Sequence, residues 1–189
     1  MAKTYESLDD KLVAFIKAQK LFFVATAPLG PGGHVNVSPK GYDSFAVIDP
    51  LTVAYLDLGG SGIETLAHLK ENGRITIMFC AFEGKANILR IYGRGEAVSF
   101  DDPGFDDLCK LFPPEPRVRS VIKINITRIM DSCGWGVPFY EFSGERDQLR
   151  RAHLNRGSED FKAHRYDRNE KSIDGLEGLI KPNKTKPVQ

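Results

Sequence analysis

The sequence predicts a mainly β protein, an antiparallel barrel with helices at its periphery. Segments rich in aromatic and β-branched residues follow one another along the chain, as strands do. Many of their connections are short turns of Gly, Pro and Asp, which suit antiparallel pairing because parallel strands need long crossovers. Glycines also interrupt the pattern at Gly59–Gly62 and at Gly93–Gly95, where a curled sheet needs to bend. We therefore expect about six or seven strands in a barrel rather than a doubly wound parallel sheet.

The first half of the chain is predicted to begin with a helix over Ser7–Lys20. Ser7 and Asp10 have the spacing of a capping pair, and apolar residues follow at helical intervals. The strands predicted next are Leu21–Ala27, 34–40, 44–48 and 52–58. Within 34–40, Val35 and Val37 alternate with polar residues, which predicts a half-buried strand.

The second half is predicted to begin with a helix over 63–73 that ends at Gly73. The strands predicted after it are 74–82, 86–98 and 119–130, with a further helix over 100–112. From Gly144 onward the pattern is helical and highly charged. We expect a barrel domain over 1–142, including the N-terminal helix, and a charged helical arm over 143–189 packed on it. The arm either covers a partner's site or is a solvated helix. Its SIDGLEGLI segment regains apolar residues and is expected to dock on the protein.

Composition excludes several classes of function. The net charge of +1 gives no basic excess for a nucleic-acid partner. Three cysteines without CxxC spacing indicate free thiols in a reducing compartment, and the histidines have no metal-ligand spacing. The chain has no apolar stretch of the roughly 20 residues that a membrane helix needs, and no signal peptide is recognisable. We expect a cytoplasmic protein without a metal or a membrane partner.

Two segments have the residue types of a ligand site. Pro39, in VSPKGYD, implies an edge position that leaves backbone groups free, with Ser38 and Lys40 beside it. The alternative is a strand end with a solvated lysine. The second segment is the glycine-rich loop before the helix, where Ser61, Gly62 and Thr65 offer amides and hydroxyls to a phosphate. The alternative there is an ordinary loop and helix cap.

A third segment, Asp131–Phe142, holds Trp135, the one tryptophan of the chain, between glycines. Such a ring packs on a cofactor or fills a subunit interface, and packing in the core is the alternative. Arg90 and Arg94 alternate on the strand before it, and a solvated face is the alternative to an anion site there. Cys133 is the one thiol in an open, glycine-rich setting.

Taken in order, these motifs resemble the pyridoxamine 5'-phosphate oxidase-like family of FMN-binding split barrels. VSPKGYD is similar to the family's strand ending in Lys-Gly-Tyr-Asp, GSGIET stands at its phosphate loop, and YGRGEAV is similar to its Gly-x-x-Glu strand. The resemblance implies an antiparallel split β-barrel that holds FMN, or a deazaflavin as the alternative, across the interface of a homodimer. The cofactor-binding residues that it implies are Val37, Ser38, Lys40, Ser61, Gly62, Thr65, Asn87, Arg90 and Trp135.

The departures from the family pattern limit the expected activity. The phosphate loop lacks the family's Ser-Arg-Lys cations, and the arginine, histidine and aspartate signature that ends the true oxidases is absent. We therefore expect an FMN-dependent oxidoreductase acting on an unknown small molecule rather than pyridoxamine 5'-phosphate oxidase activity. The alternatives are an electron carrier or sensor without its own substrate and a deazaflavin-dependent reductase.

Overall fold

An eight-stranded antiparallel sheet forms the centre of the protein, in a computed structural model that describes residues 2–182. The strands are β1 (Lys3–Tyr5), β2 (Phe22–Thr26), β3 (Asn36–Lys40), β4 (Phe45–Asp49), β5 (Thr52–Asp57), β6 (Arg74–Cys80), β7 (Ile88–Ser99) and β8 (Ser120–Ser132). Their order is β3-β2-β6-β7-β8-β5-β4, with β1 added to β8. The curled sheet is not closed, because β3 and β4 are its two edges. The predicted antiparallel split barrel is confirmed.

Five helices surround this sheet in the described part of the chain. They are α1 (Asp10–Ala18), α2 (Glu64–Asn72), α3 (Phe105–Cys109), α4 (Gln148–Leu154) and α5 (Ser158–Arg168). The predicted capping pair of α1 is wrong, since the Asp9 carboxylate caps the helix by accepting from the Leu12 amide. The end of α2 is confirmed, because Gly73 adopts the left-handed conformation with φ of 69°. None of the helices within residues 2–182 has the length and apolar character to cross a bilayer.

The strand count exceeds the expected six or seven because β1 was missed. Its three residues carry little apolar signal, and it is held by pairing with β8 and by the Tyr5 hydroxyl, which donates to Asp131. This hydrogen bond to a carboxylate raises the pKa of Tyr5 to about 12. The bend expected in β7 lies between Tyr92 and Gly93, where its register with β8 shifts.

The two faces of the sheet differ in burial. One register row across β2, β6, β7 and β8 is fully buried and fills the barrel interior: Val24, Ile77, Ile91 and Ile129. The residues between them, on the outer face, are only half buried along β2, β6 and β7. The barrel therefore keeps a half-exposed outer wall across its central strands.

The C-terminal arm packs on the barrel of its own chain. Phe161 of α5 is buried, and it lies edge-on to Phe100 with the ring centroids 6.2 Å apart. After α5 the chain turns back, so that the Leu179 side chain joins the barrel core. The docking predicted for the SIDGLEGLI segment agrees with this packing, and residues 183–189 of the predicted arm lie outside the described part of the chain.

Candidate functional site

The edge strand β3 alternates as predicted, but the valines lie on its outer side. Val35 and Val37 are 70% and 61% exposed, whereas Ser38 and Lys40 face inward, in the same rows as buried residues of β2. The strand is half buried, as predicted, with its polar residues rather than its valines on the inner side. The physical reason is a set of polar partners on the inner side, which the sequence pattern of β3 alone does not reveal.

Those inner partners form a chain of hydrogen bonds. The Asn36 amide Nδ2 donates to the Thr65 hydroxyl at 3.1 Å and to the Thr26 hydroxyl at 3.3 Å. Ser38 Oγ donates to Asn36 Oδ1, and Thr26 Oγ1 lies 2.9 Å from Nδ1 of His68. Burial lowers the pKa of His68, so the ring is neutral. The Thr65 hydroxyl is thus committed to Asn36 inside the barrel.

Lys40 also points inward, toward a buried carboxylate. Its Nζ lies 3.9 Å from Asp57 Oδ1, while the Arg119 guanidinium contacts Asp57 Oδ2 at 2.8 Å. Burial alone would raise the pKa of Asp57, but Arg119 and Lys40 together hold it at about 2. Lys40 is therefore part of the ionic group that supports the glycine-rich loop.

Three side chains fix the glycine-rich loop through its carbonyl groups. Arg165 donates to the Gly60 carbonyl at 2.7 Å, Asn169 to that of Ser61 at 3.1 Å, and Arg119 to that of Gly62 at 2.7 Å. In a trans peptide the N–H points opposite to the C=O. The amides of residues 61–63 are therefore turned away from these side chains, and nothing in the described part of the chain accepts a hydrogen bond from them.

The start of α2 extends this set of free amides. Ile63 caps the helix without a side-chain hydrogen bond, so the first-turn amides and the positive end of the helix dipole face the same region. The Glu64 carboxylate lies close by: a Cβ on Gly62 would meet its Oε2 at 2.1 Å. Ile173 donates its amide to the same carboxylate. The loop therefore offers amide donors to an anion beside one acidic side chain.

A groove of about 600 Å³ opens over these amides. Its walls come from three segments of the chain: 34–37, 61–64 and the end of the arm, which contributes Arg168 and residues 171–173. The groove brings together Val37, Ser61 and Gly62 of the predicted site residues. Arg168 and Lys171 were missed, although RYDRNEK places basic residues three apart at the end of a predicted helix.

The other predicted site residues lie at the far end of the sheet. The CGWG segment contacts Asn87 in the turn between β6 and β7, since a Cβ on Gly134 would lie 2.9 Å from the Asn87 backbone. Arg90 is on the outer face and donates to Ser132 Oγ at 3.1 Å. Trp135 is 87% exposed, so core packing is excluded for it. A single chain does not bring these three residues to the groove.

The protein is an open antiparallel barrel whose glycine-rich loop, next to the edge strand, exposes amides that have no acceptor among the described residues. The sequence profile of the family described as pyridoxamine 5'-phosphate oxidase matches residues 8–133. The chain is also 38% identical over 194 residues to the pyridoxamine 5'-phosphate oxidase family protein ustO of Aspergillus flavus, covering 93% of this chain and 77% of that protein. It belongs to the pyridoxamine 5'-phosphate oxidase family.

Two solved structures show the same fold. One is a protein of Lactobacillus delbrueckii described as a pyridoxamine 5'-phosphate oxidase, 21% identical with a TM-score of 0.51, covering 67% of this chain and 98% of that one. The other is HupZ of Group A Streptococcus, 23% identical with a TM-score of 0.50, covering 65% of this chain and 91% of that one. Both are similar to the barrel of this protein.

Proposed function

We propose that this protein is an FMN-binding flavoprotein that acts as an oxidoreductase on a small molecule. The observation that supports it most is the groove at the start of α2, where three loop amides without acceptors face outward. Such an arrangement suits the phosphate of a mononucleotide. Membership of the pyridoxamine 5'-phosphate oxidase family supports a flavin as the group attached to that phosphate.

The residues around the groove fit this cofactor. The amides of Ser61, Gly62 and Ile63 would hold the phosphate, and Val37, on the exposed side of β3, would contact the ring. Ser38 and Lys40 lie on the opposite face of that strand. In this proposal they fix the strand and the loop through Asn36 and Asp57 rather than touching the ring. The Thr65 hydroxyl is likewise structural, while its amide belongs to the free first turn of α2.

When bound, the flavin supplies the hydride-accepting chemistry, and the protein sets its position and its access to solvent. Among the described residues that line the groove, neither Ser61 nor Ser172 is hydrogen-bonded to the His34 ring, which instead contacts Asp174. The work of the lining residues is to bind the phosphate, orient the ring along β3 and shape the space beside it. We do not propose pyridoxamine 5'-phosphate oxidase activity, because the family residues that hold that substrate are missing from the sequence.

Cofactor binding is tested by titrating purified protein with FMN and with riboflavin, following flavin fluorescence. Ser61→Glu places a carboxylate in the groove and is expected to weaken FMN by at least about tenfold through charge repulsion. Ser143→Glu, at an exposed serine outside the groove, is the matched control. Wild-type protein that binds neither flavin, or equal FMN affinity in wild type and Ser61→Glu, would contradict the proposal. Mass spectrometry of any chromophore released from the purified protein separates FMN from a deazaflavin.

Turnover separates an enzyme from an electron carrier or sensor. Rapid oxidation of NADPH with a quinone or a small enone by the flavin-loaded protein is expected for an oxidoreductase. A loaded protein whose flavin is reduced slowly and passes no electrons to such acceptors would instead be a carrier or a sensor. The electron carrier or sensor is the second candidate function because the family's substrate-binding signature is absent from the sequence.

We also propose that the protein is a homodimer with the flavin at the subunit interface. The half-exposed outer face carries Val35 and Val37, and the Trp135 loop adds Phe139 and Tyr140, 79% and 63% exposed. Exposed apolar surface of this kind is typical of protein interfaces. A second copy on this face would also supply the distant Trp135 loop to the groove.

Light scattering and tryptophan fluorescence test the dimer. A mass of twice 21.1 kDa is expected, with Trp135 emission that shifts to the red as dilution separates the subunits. Val37→Asp is expected to favour the monomer, whereas Leu154→Asp, at a leucine of α4 that is also mostly exposed, is the control. A monomeric mass for flavin-loaded wild type would contradict the proposal.

A further inference from the structure

Behind the glycine-rich loop, positive charge exceeds negative charge. Lys40 and Arg119 both lie within 4 Å of one carboxylate there, that of Asp57, and the Arg165 guanidinium lies beside Arg119 without an ion pair of its own among the described residues. Arg119 and Arg165 are only 4% and 8% exposed. Arg165 donates to the Gly60 carbonyl, but its Nε has no hydrogen-bond partner in the described residues.

Such an imbalance is costly, and among the described residues Arg165 has only neutral contacts to offset it, with the Gly60 carbonyl and, at 5.0 Å, with the Phe161 ring. A buried charge without a partner destabilises a protein by several kcal/mol, depending on how far it is desolvated. Burial, together with the nearby Arg119, lowers the pKa of Arg165 to about 10, so the guanidinium remains charged at neutral pH. The free amides of residues 61–63 face the groove from the other side of the same loop. An anion in that groove would lie within the field of the buried arginines.

The rim of the groove adds two more cations from the same part of the chain. Arg168 and Lys171 line it, each exposed and each three residues beyond the previous basic residue of the arm. Three carboxylates are also near: Glu64 accepts from the Ile173 amide, Asp174 from the backbone and ring of His34, and Asp167 Oδ2 lies 3.9 Å from Arg168 Nε. They reduce the positive charge at the rim, but Lys171 has no ion pair among the described residues. The arm therefore contributes three cations around the loop.

We propose that Arg165, Arg168 and Lys171 of the C-terminal arm bind the phosphate of the cofactor in place of the loop cations that this sequence lacks. Arg168 and Lys171 contact the phosphate from the rim, and Arg165 stabilises it through the loop. The ligand class is a dianionic phosphate monoester, and the assignment rests on the flavin binding proposed above. The three residues lie within one segment of seven positions, 165–171, so the arm is part of the proposed binding site.

The test compares FMN with riboflavin, which differ only in the phosphate. Arg168→Gln/Lys171→Gln is expected to raise the Kd of FMN by about tenfold, the equivalent of ~1.4 kcal/mol, and to leave riboflavin unchanged. The effect of the double variant on the Kd of FMN should be smaller at high salt, since salt screens exposed charges. Lys11→Gln/Arg151→Gln removes the same charge at exposed positions outside the groove and serves as the control.

Arg165 is tested by a pair of substitutions. Arg165→Lys and Arg165→Met both lose the guanidinium hydrogen bond to the Gly60 carbonyl, but only Arg165→Met loses the charge. FMN should bind several-fold more weakly to Arg165→Met than to Arg165→Lys, with no such difference for riboflavin. Thermal melts check that both variants fold.

The outcomes separate this inference from the proposed function. If wild-type protein binds neither flavin, both are wrong. If wild type binds FMN and the double variant binds it equally well, only the assignment of the arm cations is overturned. Equal weakening of FMN and riboflavin would overturn it as well, because a charge contact with the phosphate cannot affect riboflavin.

Discussion

Asp57 is the residue on which the ionic group behind the loop depends. Asp57→Asn would leave Arg119 and Lys40 without a carboxylate in a buried site. We expect a loss of about 3–5 kcal/mol in the free energy of unfolding, measured by urea denaturation. Asp167→Asn, at a carboxylate 79% exposed, should change it by less than about 0.5 kcal/mol. A loss below about 1 kcal/mol for Asp57→Asn would contradict the ionic group's structural role.

Gly93 is required by a close approach of two strands. A Cβ there would lie 2.5 Å from the Asn125 carbonyl oxygen and 2.6 Å from Ile124 Cγ2. Because backbone cannot move aside at small cost, Gly93→Ala should destabilise the protein by about 2–4 kcal/mol in thermal or urea unfolding. At Gly32 an added Cβ meets nothing within 4 Å, so Gly32→Ala is the control. Equal stability of the two variants would contradict the packing at the bulge.

Individual site residues were only partly predictable from the sequence. Ser61 and Gly62 could be predicted as site residues, because a glycine-rich segment before a helix exposes backbone amides wherever it occurs. The inward direction of Ser38 and the burial of the Thr65 hydroxyl depend on Asn36 and on partners more than ten residues away. The alternation of apolar and polar residues in β3 indicates that the strand has two different faces. It does not indicate which face packs against the barrel interior.

At the scale of elements, Arg150 links α4 to the segment that precedes β8. It donates through its guanidinium to Glu115, whose side chain is 2% exposed, and lies 4.5 Å over the Tyr42 ring. We expect Arg150→Met to lower the free energy of unfolding by about 1–3 kcal/mol, because Glu115 loses its partner. Arg151→Met removes a neighbouring arginine 65% exposed and should cost less than about 0.5 kcal/mol.

A double variant checks the cause. If the loss in Arg150→Met comes from the unpaired carboxylate, adding Glu115→Gln should recover part of the stability. No recovery would assign the loss to the contact with Tyr42 instead.

A helix or strand could be predicted where its own residues carry the pattern of that element. Strands β2 to β8 and helix α2 carry their own apolar patterns and turns, so their positions follow from short windows. The three residues of β1 have no such pattern. They form a strand because they pair with the free edge of β8. The path of the arm back to the loop also rests on contacts about 110 residues apart, such as Asn169 with Ser61, which local patterns do not contain.

For the molecule as a whole, two buried histidines predict a decline of stability toward acid. His68 is fully buried and His153 is 5% exposed, and burial lowers the pKa of both. Below the usual histidine pKa of about 6.5 the unfolded chain binds protons that the folded protein does not. The free energy of unfolding should therefore fall as the pH decreases from about 7 to 5, by up to about 1.4 kcal/mol per pH unit for each histidine.

Urea unfolding at several pH values measures this dependence. His68→Gln is expected to flatten the decline, since glutamine does not titrate. Equal stability of wild-type protein at pH 5 and pH 7 would contradict the neutral state of the buried rings.

The three-walled groove has a consequence for the order in which the protein is made. Its first wall is complete once residue 37 has been synthesised and its second at residue 64, but its third needs residues 168–173. Domains form as the chain emerges, N-terminal parts first. The barrel strands are complete at Ser132, so the barrel is synthesised before the third wall of the groove. A chain that terminates early, between residues 133 and 164, would contain every strand and lack all three arm cations that we propose to bind a phosphate.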